Sequence, residues 1–60
     1  MTMKITKSTE PQHVGQTVQC DLLVMTFDSE TITLTGRAHV GNGLWKLWNS
    51  DYFLEAQEII

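Results

Sequence analysis

Sixty residues make one small domain, and a chain this short buries only about 60% of its unfolded surface, so it is marginal without further support. Cys20 is the only cysteine, which excludes a disulfide within the chain, and one Cys with two His (His13, His39) lacks the C-x-x-C or H-x-x-x-H spacing of a zinc site. The formal charge of −3 argues against a generic polyanion binder, because phosphate neutralisation needs clustered bases and Lys4, Lys7, Arg37 and Lys46 are spread along the chain.

Self-association is the remaining route to extra buried area, so a homo-oligomer is expected. Residues 1–11 contain no apolar run of the signal-peptide kind, and no stretch reaches membrane-spanning length. A lone unpaired cysteine fits a reducing cytoplasm.

Residues 1–13 read as a short strand and a polar loop. Met3 and Ile5 alternate with polar residues, enough for an edge strand of about four residues. The run Lys7–His13 is polar or proline throughout, which marks a loose arm with His13 in solvent.

Residues 14–60 read as a single small β domain. Val18, Cys20, Leu22 and Val24 share one face of an extended chain, while Leu23, Met25 and Phe27 share the other. Two accounts fit: a central strand covered on both sides, or a β-bulge near Leu22-Leu23 that swaps faces. In so short a chain a bulge or strong bend is favoured, or else a subunit contact through Leu23, Met25 and Phe27. Asp28-Ser29-Glu30 is a polar turn, so Val18–Phe27 should pair antiparallel with Thr31–Val40.

Thr31–Val40 is the clearest strand. Ile32, Leu34, Gly36, Ala38 and Val40 are apolar or small, and the intervening residues are polar, a period of two with β-branched residues. Asn42-Gly43 then predicts a two-residue type I′ turn. In that register Gly41 faces Leu44, Val40 faces Trp45 and Ala38 faces Leu47, with Trp45 and Leu47 turned inward. On the other face His39 lies opposite Lys46 and Arg37 opposite Trp48. A slip of one residue would exchange the roles of the two tryptophans. After a break at Asn49-Ser50-Asp51, the segment Tyr52–Ile60 reads as a helix capped by Ser50 or Asp51, or as one turn followed by a short strand.

This order of elements, with Val14–Val18 opening a meander and an aromatic strand before Phe53–Ile60, resembles SH3-type small barrels over Val14–Ile60. The resemblance rests on no specific motif and implies fold alone, because such barrels serve unrelated functions. The expected architecture is mainly β: a small antiparallel meander or SH3-like barrel of four to five strands, with room for a short C-terminal helix.

Cys20 alternates with Val18 and Leu22, which makes it a small core hydrophobe rather than a nucleophile. Asp28 with Glu30, and Glu55 with Glu58, are read as solvated charges, and Gly36, Gly41 and Gly43 have strand and turn explanations rather than a phosphate-cradling one. No enzyme, cofactor or metal is expected. Arg37, His39, Lys46 and Trp48 share one outward face in the hairpin register, with Tyr52 near its edge. Arg37 stacked on Trp48 would contribute about 0.5–1 kcal/mol. Trp, Tyr and Arg are the types most enriched at binding hot spots.

The leading expectation is therefore a small non-catalytic regulatory or adaptor protein that binds a larger protein partner, or itself, through Arg37, His39, Lys46, Trp48 and Tyr52. Compact acidic chains of this kind are typical of accessory factors in bacteria and phages. The alternative is a single-stranded nucleic-acid-binding small barrel, with Trp48 and Tyr52 stacking on bases and Arg37 and Lys46 on phosphate. The net negative charge counts against it.

Overall fold

The computed structural model describes residues 1–27 and 30–59. Seven strands appear in chain order: β1 (Thr2–Ser8), β2 (Thr17–Asp21), β3 (Val24–Phe27), β4 (Glu30–Thr33), β5 (Gly36–Gly41), β6 (Leu44–Trp48) and β7 (Phe53–Glu58). A single 3-10 turn, Pro11–His13, lies between β1 and β2. The strands form one antiparallel sheet ordered β4-β3-β2-β1-β7-β6-β5.

Alternation along each strand decides what is buried. Met3, Ile5, Val18, Cys20, Met25, Phe27, Leu47, Leu54 and Ala56 face inward, and Leu34 joins them from the β4–β5 link. Ile32, Trp45 and Tyr52 pack partly against this core.

The strand order forces the sheet to curl. β4 and β5 sit at opposite ends of it, yet only Leu34 and Thr35 separate them in the chain. Three residue steps reach roughly 11 Å at most. A flat sheet would hold its first and seventh strands about 29 Å apart, at about 4.8 Å per strand. The sheet therefore closes on itself into a half-barrel, with Leu34 filling the corner at 2% exposure. Hydrogen bonds fasten that corner to both sides. The Leu34 amide donates to the Leu23 carbonyl at 2.7 Å, and the Thr35 amide donates to the Trp48 carbonyl at 2.8 Å. Asn49 Nδ2 donates to the Thr33 carbonyl at 3.1 Å, while its Oδ1 accepts from the amides of Asp51 and Tyr52, both at 2.8 Å.

Several expectations are corrected here. There are seven strands, not four or five. β1 is not a four-residue edge strand: it spans seven residues and sits between β2 and β7. Local alternation identifies a strand but not its neighbours. His13 is not solvated; it is 7% exposed, with its ring stacked on Phe27 at 4.8 Å and tilted against Tyr52 at 5.6 Å. Pro11 starts the turn that folds it in, and the Val14 amide closes that turn on the Pro11 carbonyl.

Val18–Phe27 is a hairpin rather than one strand. Asp21 pairs with Val24 across a turn of Leu22 and Leu23, and Leu22 takes a φ of +54°. This reversal brings Val18 and Cys20 to the same face as Met25 and Phe27, so neither a bulge nor a subunit contact through Met25 and Phe27 is needed. Thr31–Val40 is likewise two strands, broken at Leu34-Thr35. The expected antiparallel pairing survives in β3 with β4, where Met25 faces Ile32. The polar turn expected at Asp28-Ser29 lies outside the described residues.

Among the described residues of Tyr52–Ile60 no helix forms; a turn leads into a strand, the second of the two expectations. β7 fills the slot between β1 and β6, with Leu54 and Ala56 facing in, and two ladders of backbone hydrogen bonds outweigh helix propensity. Among the described residues no helix is long and apolar enough to cross a membrane.

Asn49→Ala removes both the turn cap and the stitch to Thr33. It should lower the free energy of unfolding by about 1–3 kcal/mol in urea denaturation, with Asn49→Asp intermediate because it keeps the acceptor and loses the donor.

Candidate functional site: the outer face of β1, β7 and β6

The β5–β6 hairpin has the expected turn. Asn42 and Gly43 both take positive φ (+53° and +78°), and Gly41 faces Leu44. One pair further on, the expected register fails. Val40 is an extra residue on β5, so His39 faces Trp45 and Arg37 faces Leu47.

This bulge divides the expected four-residue face. Arg37 and His39 lie on the Trp45 side of the sheet, whereas Lys46 and Trp48 lie on the other. The Arg37 guanidinium sits 5.2 Å from the centroid of Trp45, not over Trp48, and the His39 ring is 4.7 Å from Trp45. Trp45 Nε1 donates to Glu58 Oε1 at 2.6 Å. Trp45 is thus held on three sides as part of the structure. Tyr52 is partly buried against His13 and the core.

The outer face carries a different group. Trp48 on β6 is paired with Phe53 on β7, and Phe53 is 43% exposed. In the next row Lys46 faces Glu55, which in turn faces Lys7 on β1. Beyond it Leu44 faces Gln57, which faces Lys4. Three of the four basic side chains therefore share a face with the half-buried Trp48 and the exposed Phe53, against one acid in these rows, Glu55.

A pocket of about 530 Å³ opens at the aromatic end of this face, lined by Thr9, Trp48, Phe53 and the turn residues Asn49 to Tyr52. Its walls are fixed before anything binds. Asn49 holds the turn through the amides of Asp51 and Tyr52. Thr9 clamps Phe53 twice: its amide donates to the Phe53 carbonyl at 3.0 Å, and its Oγ1 accepts from the Phe53 amide at 3.2 Å. The Trp48 indole lies across Gly36, where a Cβ would come within 2.7 Å of Nε1. Glycine there lets the ring lie flat on β5.

Lys46, Trp48 and Tyr52 thus belong to one neighbourhood, and Arg37 and His39 to another. Sequence reasoning missed Phe53, Thr9 and Asn49, and left Lys4 and Lys7 as solvated bases although they could touch an acidic partner. Phe53 was within reach: reading 53–58 as a strand places Phe53, Glu55 and Gln57 outward together. The lysines were not, because their convergence depends on β1 pairing with β7 across about fifty residues.

Cys20 is buried, and its Sγ meets the Leu22 carbonyl at 3.5 Å. Among the described residues no three His, Cys, Asp or Glu side chains gather as metal donors. No protein-family model, curated protein or solved structure matches the chain.

Gly36→Ala forces the Trp48 ring off its seat. Unfolding free energy should fall by about 1–3 kcal/mol, and Trp fluorescence of the folded protein should shift to the red as the indole becomes more exposed.

Proposed function

We propose that this protein is a non-catalytic adaptor or regulatory protein that binds a larger protein through the outer face of β1, β7 and β6. One observation carries the reading: Trp48 and Phe53 sit side by side on an exposed sheet face, beside a preformed pocket, with Lys46 and Lys7 in the adjoining row. Aromatic anchors held by a rigid frame keep the entropy cost of binding low, and Trp and Tyr are the types most often found at hot spots. Arg37 and His39 are assigned a second, subsidiary contact beside Trp45, on the other side of β5.

The clustering of Lys4, Lys7 and Lys46 with Trp48 and Phe53 also favours a second reading, single-stranded nucleic-acid binding by stacking and phosphate contact. Salt separates the two. Oligonucleotide affinity would fall steeply and linearly on a log–log plot as salt rises, and nuclease would release what is bound.

The test is affinity capture from a lysate of the source cell, treated with nuclease, with Trp48→Ala beside the natural chain. A discrete protein should be retained, and Trp48→Ala should weaken its binding by on the order of 2 kcal/mol, roughly thirtyfold, while circular dichroism shows the fold intact. Equal retention by a folded Trp48→Ala protein would sink the assignment.

A further inference from the structure

We infer that the ligand of this face is an extended acidic segment of a partner protein, carrying one large apolar side chain as an anchor for the Trp48/Tyr52/Phe53 pocket. The inference rests on the binding reading above and adds the chemistry of what is bound. Two features of the face lead to it. Trp48, Tyr52 and Phe53 line the pocket beside four polar residues and its exposed surface is mostly apolar, which suits an apolar side chain rather than a polar group. The open sheet beside the pocket is the most basic part of an otherwise acidic molecule. Lys46 and Lys7 flank Glu55 one row away, and Lys4 lies in the row after that. Of the other described acids, Glu58 is bonded to Trp45 and Glu10 to Gln12, Asp21 and Glu30 lie on β2 and β4, and Asp51 lines the pocket.

Spacing sets the ligand's pattern. Lys46 is two residues from Trp48 along β6, or about 6.6 Å, and Lys7 lies two strands across from Lys46, or about 9.6 Å. An extended peptide advances about 3.3 Å per residue. Alternate side chains face the sheet, so carboxylates two and four residues from the anchor, about 6.6 and 13 Å away, reach Lys46 and Lys7 while the anchor stays in the pocket. The net contribution of each exposed pair is small, so the lysines select the partner and speed its arrival while the anchor supplies the affinity. Asp51 at the pocket's lip opposes a carboxylate placed on that side, which orients the segment with its acids toward Lys46 and Lys7.

Three ten-residue peptides and one oligonucleotide test this on the isotope-labelled protein: an acidic peptide with a central Leu and acids two and four positions away; the same peptide with Ala for Leu; the same anchor flanked by Lys; and a ten-nucleotide oligo(dT). In NMR titrations the acidic Leu peptide should shift the Trp48 indole N–H and the amides of residues 46–53 and Lys7, leaving the Trp45 indole in place. Replacing Leu by Ala should weaken binding at least tenfold, as should the doubly exposed variant Lys7→Glu/Lys46→Glu, whose substitutions spare the core. Tighter binding of the Lys-flanked peptide or of oligo(dT), or no binding of the acidic Leu peptide at millimolar concentration, overturns the inference. If the peptides fail while capture of a cellular protein still depends on Trp48, the ligand chemistry falls and the binding face stands. If both fail, the face itself was misassigned.

Discussion

Everything in this fold depends on a two-residue link that carries the chain from one edge of its sheet to the other. Leu34 and Thr35 join strands that the sheet order places furthest apart. That link is short enough to compel curvature, and the buried Leu34 side chain is what the curvature encloses. A sixty-residue chain has too little material for a second layer, so rolling one sheet around its own apolar face is how it obtains a core. The closing contacts converge on Trp48 and Asn49, one through a main-chain carbonyl and the other through both ends of an amide side chain.

Those same residues shape the proposed binding face. The carbonyl of Trp48 locks the barrel corner while its indole walls the pocket, and Asn49 both ties down the Thr33 strand and sets the turn that presents Tyr52 and Phe53. Architecture and recognition are therefore not separable at this end of the molecule. At the other side of β5 the pattern differs: Arg37, His39 and Glu58 surround Trp45, while the half-buried Trp48 lies across Gly36 and walls the pocket.

Much of this was legible where it depended on neighbours in sequence. The β character, the Asn42-Gly43 turn, the inward Trp45 and Leu47 against the outward Lys46 and Trp48, and the burial of Cys20 all follow from period-two alternation and turn chemistry. What was hidden depended on interruptions that leave no local mark. The alternation of Thr31–Val40 runs unbroken through the Leu34-Thr35 corner because Leu34 is inward and Thr35 outward on either reading. Val40, the bulged residue, is apolar and 54% exposed, so it looks like a core position. Leu22 occupies a turn conformation usually left to Gly or Asn, with nothing in its type to announce it. In the last strand Phe53 and Glu58 spoil the alternation, Phe53 because it faces solvent at the proposed site and Glu58 because it turns in to Trp45. The basic face itself was invisible, since charges far apart in sequence meet only once the strand order is known.

The position of β7 has a consequence for how the protein is made. β7 pairs with β1 and with β6, so it joins two halves of the sheet that otherwise share only the Leu34 corner. During synthesis β1 emerges first and waits through some forty-five residues for its second partner, which gives the chain a high contact order and a slow final step. Until β7 leaves the ribosome, two strand edges stand open, and each is a template for pairing with another chain. Premature termination in that window would release not a weakened domain but an unclosed sheet prone to aggregate.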